Sequence, residues 1–242
     1  MGGAMRHRSI RVVVIAILLS LLAPPAWAGF EEGLAAYDRG DYATALREIR
    51  PLAEQGDAEA QFNLGFMYFH GHGVQQDYGE AVRWYRMAAA QGDADAQNTL
   101  GFMYYKGQGV PEDDAKAAKW YRKAATQGNA EAQYNLGVMY DNGLGVPQDH
   151  AKAAKWYRKA AEQGDADAQN TLGFMYGQGR GVPQDYVQAH MWYNLAASRL
   201  PPGTDRVGAV KNRDILSARM TPAQIAEAKR LSREWKPKHG KK

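Results

Sequence analysis

Few residues of this chain have the types and spacing that chemistry requires. His70 and His72 form a His-x-His pair that could ligate a metal ion, but no carboxylate or further histidine accompanies them at helical spacing. The serines after residue 28 are Ser198, Ser217 and Ser232, and none lies in a nucleophile-elbow context. The chain has no cysteine, which excludes a thiol nucleophile, a disulfide framework and a cysteine-ligated metal. We therefore expect no catalytic residue, no cofactor and no metal site.

Aspartates recur at the same place in four similar segments, at positions 77, 113, 149 and 185. Paired carboxylates can perform acid–base catalysis, but a carboxylate that returns in every segment fits the N-cap of a helix better. The Gly-x-Gly stretch before each aspartate could cradle a phosphate, yet no strand and helix flank it in the required way. Because glycine permits positive φ, a turn explains the stretch. These recurrent residues indicate structure rather than a reaction.

The four segments belong to a repeat of 36 residues that keeps its register throughout. Its equivalent positions are glycine at 56, 92, 128 and 164, leucine at 64, 100, 136 and 172, glycine at 65, 101, 137 and 173, and a Trp-Tyr pair at 84–85, 120–121, 156–157 and 192–193. Most of the 26 glycines lie in these repeats. The high glycine content therefore reflects turns and close packing, not flexible linkers.

The apolar spacing within one repeat is helical. Positions 61, 64, 65 and 68 follow the i, i+3, i+4, i+7 pattern of one helix face, and positions 81, 84, 85 and 88 repeat it on a second helix. Each repeat is therefore a helical hairpin. Because a hairpin of this size cannot bury its own apolar face, the hairpins must stack into an array, with the tryptophan of each Trp-Tyr pair filling the space between repeats.

The repeated pattern resembles a known family. It is A-x-A-Q-x-x-L-G-x-M-Y-x-x-G-x-G-V-x-x-D-x-x-x-A-x-x-W-Y-x-x-A-A-x-Q-G, and it is similar to the Sel-1-like repeat, the 36-residue relative of the tetratricopeptide repeat. Four copies span residues 57–92, 93–128, 129–164 and 165–200, and the last lacks the closing Gln-Gly. The resemblance implies an all-α fold, a right-handed α-solenoid of helix-turn-helix repeats, and a role as a bacterial exported scaffold without enzymatic activity.

The two ends of the array differ from its middle. Residues 29–56 contain a shortened hairpin without the Gly-x-Gly-Val turn, which predicts a degenerate N-terminal capping hairpin. After Leu200 the Pro-Pro-Gly sequence interrupts the pattern, and residues 205–218 and 222–235 then follow helical spacing. Thr221 with Gln224 has the spacing of a capping box. Residues 201–242 are therefore expected to form a C-terminal helical cap with a basic tail.

The first 28 residues have the organisation of a secretory signal peptide. Arg6, Arg8 and Arg11 precede an apolar run over residues 12–23, and a small-x-small triplet ends at Ala28. An uncleaved membrane anchor would need about 20 apolar residues, more than this run provides before two prolines. The segment predicts cleavage after Ala28 and export, with the periplasm preferred over the extracellular space.

One face of the first helices carries side chains that the core does not use. Aromatic residues alternate there with asparagine and threonine, as expected for a concave groove that holds an extended peptide. The predicted partner-binding residues are Phe62, Asn63, Phe66, Asn98, Thr99, Phe102, Tyr105, Tyr134, Asn135, Asn170, Thr171 and Phe174. In a second interpretation of the phenylalanines, their rings pack against the neighbouring repeat, and the sequence leaves both open.

The charge differs along the chain. Residues 29–205 contain 16 basic and 23 acidic side chains, whereas residues 206–242 contain 11 basic and 3 acidic ones. An exported protein with an acidic repeat region is a poor candidate for nucleic acid, and the basic tail could contact anionic surfaces weakly. We expect a monomeric, exported, non-enzymatic adaptor that binds a protein or peptide partner in the groove. The alternative is a glycan or peptidoglycan module that uses the groove aromatics.

Overall fold

The computed structural model describes residues 26–237, which form twelve α-helices and no β-strand. The helices are α1 (Ala26–Asp38), α2 (Tyr42–Glu54), α3 (Ala58–His70), α4 (Tyr78–Ala90), α5 (Ala94–Lys106), α6 (Asp114–Gln127), α7 (Ala130–Asn142), α8 (His150–Gln163), α9 (Ala166–Gln178), α10 (Tyr186–Arg199), α11 (Thr204–Ser217) and α12 (Pro222–Glu234). None of them is long and apolar enough to cross a membrane. Residues 1–25 of the predicted signal peptide and residues 238–242 of the basic tail lie outside the described residues.

Each 36-residue repeat forms the pair of helices that its periodicity predicts. The four repeats are the pairs α3 and α4, α5 and α6, α7 and α8, and α9 and α10. The pair α1 and α2 precedes them, with helices of 13 residues like those of the first repeat but a shorter turn, and α11 and α12 follow. The predicted fold class, an all-α solenoid of helix-turn-helix repeats, is confirmed.

The recurrent aspartates begin the second helices, as their position predicts. Asp113 accepts a hydrogen bond from the backbone N–H of Lys116 over 2.9 Å, and the aspartates at 77, 149 and 185 accept from the N–H three residues later in the same way. At the start of α12, Thr221 and Gln224 form the predicted capping box. These side chains satisfy backbone N–H groups that a helix leaves free at its first turn.

The two glycines of a Gly-x-Gly turn are required for different reasons, as the turn of the third repeat shows. Gly143 ends α7 in the left-handed region, with φ of 73°, a conformation that favours glycine. Gly145 also has positive φ, and in addition a methyl group placed on it would lie 2.2 Å from the backbone carbonyl of Asp114 in the preceding repeat. The turn therefore needs one glycine for its conformation and another for close approach to the neighbouring helix.

The chain divides after Trp84 into two compact units. In the N-terminal unit, α2 packs against both α1 and α3. Ile49, Leu64, Met67 and Trp84 form its core together with alanines of these helices. The degenerate hairpin thus shares one hydrophobic core with the first helix of the first repeat.

In the C-terminal unit, each helix from α5 to α10 packs against the next, and α10 also packs against α11 and α12. A glycine on each first helix receives the tyrosine ring of its second helix. A methyl group placed on Gly137 would lie 2.7 Å from two ring atoms of Tyr157, and the equivalent glycines at 101 and 173 are as crowded. The repeated Leu-Gly and Trp-Tyr pairs therefore determine how closely the two helices of a hairpin approach.

The tryptophans of the Trp-Tyr pairs are not equally buried. Trp84 and Trp192 are each 5% exposed, whereas Trp120 and Trp156 are half-buried. A lysine three residues later lies over each of these two half-buried rings, at 4.2 and 4.5 Å from the ring centre. The prediction that these tryptophans fill the space between repeats therefore fits Trp84 and Trp192 better than Trp120 and Trp156.

Candidate functional site

The first helices of the last three repeats lie side by side in the C-terminal unit. The Asn135 side chain on α7 donates a hydrogen bond to Asn98 Oδ1 on α5 over 3.2 Å. One repeat further along, Thr171 on α9 contacts the hydroxyl of Tyr134 on α7. Equivalent residues of α5, α7 and α9 therefore form rows that run across the three helices.

Three such rows share one face, because residues three and four positions apart lie on the same side of a helix. The acidic row consists of Asp95, Glu131 and Asp167. The polar row consists of Asn98, Tyr134 and Asn170. The apolar row consists of Phe102, Val138 and Phe174. We call this surface the three-row face. Seven positions separate its outer rows, which is about 10 Å along a helix that rises 1.5 Å per residue.

The twelve predicted partner-binding residues are divided between the two units. Phe62, Asn63 and Phe66 lie half-buried on α3 of the N-terminal unit. The other nine lie on α5, α7 and α9: Asn98, Thr99, Phe102, Tyr105, Tyr134, Asn135, Asn170, Thr171 and Phe174. Of these nine, Phe102 and Phe174 are exposed by 37% and 43%, Asn98 is buried, and the remaining six are half-buried. The structure thus brings nine of the twelve together on or beside the three-row face.

The fold itself uses most of the predicted asparagine amides. Asn98 and Asn135 bond to each other, as described above, and the Asn63 amide donates to the carbonyl of Glu59 over 2.8 Å. Asn170 differs, because its Oδ1 atom is buried and has no hydrogen-bond partner among the described residues. The polar row therefore connects two repeats at its beginning and has an unpaired acceptor at its end.

Phe66 belongs to an aromatic cluster within the N-terminal unit. Its ring lies 4.2 Å from that of His70 and 6.0 Å from that of Tyr37 on α1. His72 stacks on Tyr42 at 4.4 Å, and its Nδ1 atom lies 2.5 Å from the Tyr37 hydroxyl. Burial, and then the neighbouring His72, lower the pKa of His70. For Phe66, the packing interpretation describes the observed contacts.

The His-x-His pair of this cluster has no further metal-binding side chain beside it. Within residues 26–237, no three histidine, aspartate or glutamate side chains are grouped so that they could hold a metal ion. The His72 Nδ1 atom is already engaged with Tyr37. The pair therefore connects the turn of the first repeat to the preceding hairpin.

Carboxylates concentrate around Tyr134 at the acidic edge of the three-row face. Burial raises the pKa of Tyr134, and the charges of Asp167, Asp165 and Asp205 raise it further. Burial also raises the pKa of Asp165, with added contributions from Asp167 and Glu131. The carboxylates of Asp165, Asp167 and Asp205 therefore lie close enough to Tyr134 to add to the effect of its burial.

The opposite edge of the face has charges that are already paired. Beyond the apolar row, Asp141 on α7 forms ion pairs with Arg180 at 3.2 Å and with His150 at 2.8 Å. On α5, the Lys106 ammonium lies 4.7 Å from the centre of the Tyr105 ring. The two edges therefore differ, since one has paired charges and the other an excess of carboxylates.

Comparison with known proteins identifies the repeat. A family model described as Sel1 repeat matches residues 58–93, 94–129, 130–165 and 166–199, which together make up more than half of the chain. The chain belongs to the Sel1 repeat family. No match was found among curated proteins.

Solved structures of other Sel1 repeat proteins have a similar fold. The protective antigen c5321 of uropathogenic Escherichia coli, which displays an SLR fold, is 36% identical with a TM-score of 0.75, and the match covers 86% of this chain and 46% of that one. A Sel1 repeat protein from Oxalobacter formigenes is 32% identical with a TM-score of 0.73, and the match covers 90% and 93% of the two chains. This chain therefore spans less than half of the E. coli antigen and nearly all of the Oxalobacter protein.

Membership of the Sel1 repeat family indicates the general role of such a surface. Sel1 repeat proteins are generally scaffolds for protein interactions, and their fold is typically non-enzymatic. The sequence reasoning identified the polar row and the phenylalanines of the apolar row but missed the acidic row. Its signal was present, because an acidic residue returns every 36 positions at 59, 95, 131 and 167.

Proposed function

We propose that this Sel1 repeat protein is an exported, non-enzymatic adaptor that binds a segment of a partner protein on the three-row face. The observation that supports it best is the exposure of Phe102 on α5 and Phe174 on α9, at the two ends of the apolar row and beside a row of hydrogen-bonding side chains. Large aromatic side chains that remain exposed beside polar side chains are typical anchors of protein interfaces. The general role of Sel1 repeat proteins as scaffolds also supports a protein partner.

We do not extend the proposal to a glycan. Stacking on a sugar ring requires an aromatic side chain with an open face. Among the tryptophans whose side chains the structure describes, none is in the exposed class, and lysines lie over the rings of Trp120 and Trp156. The comparisons also favour a protein partner.

The export part of the proposal is supported by residues 1–28 of the sequence. Three arginines, an apolar run and a small-x-small triplet ending at Ala28 are typical of a secretory signal peptide. In this proposal the working protein begins at Gly29 and acts in the periplasm.

Photo-crosslinking tests the partner-binding surface directly. A photoreactive phenylalanine analogue replaces Phe102 in one variant and Ile215 in another, because Ile215 on α11 is 49% exposed but lies outside the three-row face. Crosslinking in intact cells should give a defined protein adduct from position 102 and none of that size from position 215. Adding Phe174→Ala should reduce the adduct from position 102 by about tenfold, since loss of an interface anchor commonly costs more than 1 kcal/mol.

The result that would refute the proposal is equally specific. If positions 102 and 215 give the same adducts in the same yields, the three-row face has no preferred partner. If the adduct from position 102 persists unchanged with Phe174→Ala, the two phenylalanines do not form one binding surface.

A further inference from the structure

The acidic row is exposed and has no cationic partner. Asp95, Glu131 and Asp167 are all exposed, and none of them forms an ion pair with any residue from 26 to 237. Apart from Lys106 at the end of α5, the lysines of the same repeats lie on the second helices, where Lys116 and Lys152 each pair with the aspartate three residues before them. A row of carboxylates without counter-charges attracts a cation from outside the chain.

At the end of the polar row, two buried side-chain oxygens lack hydrogen-bond donors among the described residues. Asn98 Oδ1 accepts a hydrogen bond from the next repeat, but the equivalent Oδ1 atom of Asn170 has no partner among the described residues. The adjacent Gln169 is fully buried and its Oε1 atom is also unpartnered, whereas the glutamines at 97 and 133 each accept from a glutamine at the end of the second helix of the same repeat. Gln169 lies on the core face of α9, out of reach of a ligand on the three-row face. Because a buried acceptor without a donor is unfavourable, a ligand that supplies an N–H group to Asn170 is favoured at this end.

The rows have a spacing that an extended polypeptide fits. Neighbouring helices pack about 8–10 Å apart, so the distance from α5 to α9 is roughly 20 Å. An extended chain covers that distance in about six residues at roughly 3.3 Å each, and its side chains alternate between opposite sides. A chain that lies on the polar row and crosses the helices would point alternate side chains toward the acidic row and the apolar row.

We infer that the partner segment is an extended, basic polypeptide in which cationic and apolar side chains alternate. Its lysine or arginine side chains contact Asp95, Glu131 and Asp167, its apolar side chains contact Phe102 and Phe174, and its backbone lies over the polar row. This inference rests on the proposed function and specifies the chemistry of the partner.

The chain contains one competing basic segment of its own. Pro237 lies near Gly164, within 3.9 Å of the position a methyl group would occupy there, and Gly164 directly precedes the carboxylate of Asp165. Lysines follow at positions 238, 241 and 242. The test must therefore separate binding of a partner from occupation by these lysines.

The experiment measures how tightly a synthetic probe binds to the protein purified in the form that cells produce. The probe is a fluorescent, end-capped octapeptide of alternating lysine and leucine, and fluorescence anisotropy reports its binding. Matched peptides alternate glutamate with leucine, and lysine with serine. We expect binding of the lysine–leucine peptide, at least about tenfold weaker binding of both matched peptides, and a loss of affinity as salt rises from roughly 0.05 to 0.5 M.

Isosteric variants then locate the site. Asp95→Asn, Glu131→Gln and Asp167→Asn together should weaken binding of the lysine–leucine peptide by about tenfold, as the loss of three exposed ion pairs predicts. A control variant removes the same charge elsewhere, and its substitutions are Glu31→Gln, Glu54→Gln and Glu112→Gln. This control should bind within about twofold of the unsubstituted protein.

Two outcomes would overturn the inference. The first is unchanged binding of the lysine–leucine peptide to the acidic-row variant. If the crosslink from position 102 still formed in that case, the proposed function would remain, and only the basic character of the partner would be wrong. Binding to a Lys238→Gln, Lys241→Gln, Lys242→Gln variant, but not to the unsubstituted protein, would show that the chain's own tail occupies the surface.

Discussion

The contact between a first-helix glycine and a second-helix tyrosine makes the most quantitative prediction about the fold. In Gly137→Ala, the new methyl group would lie 2.7 Å from two ring atoms of Tyr157. That ring is 2% exposed and packs against the Tyr134 ring at 5.5 Å, so it has little room to retreat. Inserting a methylene into a packed core costs about 1–3 kcal/mol, whereas alanine gains up to about 1 kcal/mol over glycine in a helix. We therefore expect a net loss of up to about 2 kcal/mol in the free energy of unfolding.

Gly208→Ala is the matched control, because Gly208 lies inside α11 and nothing lies within 4 Å of the position of its added methyl group. This variant should gain up to about 1 kcal/mol from helix propensity. Urea denaturation, analysed at equal slope, gives the difference in the free energy of unfolding between the two variants. Since both gain helix propensity, we expect this difference to equal the packing cost of about 1–3 kcal/mol. If Gly137→Ala is as stable as Gly208→Ala, the close approach of Tyr157 to α7 does not determine the packing of the hairpin.

Two other outcomes are expected, one for pH and one for export. His190 is buried, and burial, followed by the charges of Arg213 and Lys229 and against that of Asp214, lowers its pKa. At this site the unfolded chain therefore binds more protons than the folded one as the pH falls through the ordinary histidine value of 6.5, and the free energy of unfolding decreases on acidification. His190→Gln should lose this part of the pH dependence when denaturation is measured from about pH 8 to pH 5. An identical pH profile for both proteins would contradict this. N-terminal sequencing of the protein recovered from the periplasm should begin at Gly29, and recovery of an uncleaved chain would exclude the proposed signal peptide.

The fold could be predicted because the sequence signals that define each repeat lie within that repeat. The aspartate caps, the turn glycines and the helical spacing of Leu64 and Tyr68 all act within one hairpin, and their period then implies stacking. The capping box at Thr221 is local in the same sense. Contacts between neighbours in sequence are the ones that sequence patterns describe best.

The site could be predicted only in part, because its contacts join different repeats. Asn98 meets Asn135, which is 37 residues later, and Tyr134 meets Thr171 at the same separation. These contacts join non-equivalent positions of two repeats, so they depend on how the hairpins pack. Phe66 and Phe102 occupy the same repeat position, yet Phe66 packs against Tyr37 of the degenerate hairpin while Phe102 remains exposed. No pattern within a single repeat distinguishes these two environments.

The end of the array shows why the candidate surface is not uniform along its length. Glutamines at 127 and 163 donate to the side-chain oxygens of glutamines at 97 and 133, each over 2.8 Å, and so connect the two helices of one repeat. The next donor in this series would be residue 199, but an arginine stands there, and the Arg199 guanidinium lies 4.4 Å from the ring of Trp235. Trp235 in turn packs against Trp192 and covers the last hairpin. The substitution that allows the cap to dock also leaves Gln169 without a donor, next to the unpaired Asn170. A partner that brings N–H groups should therefore gain more at this end than at α5, where the amide of Asn98 is already paired.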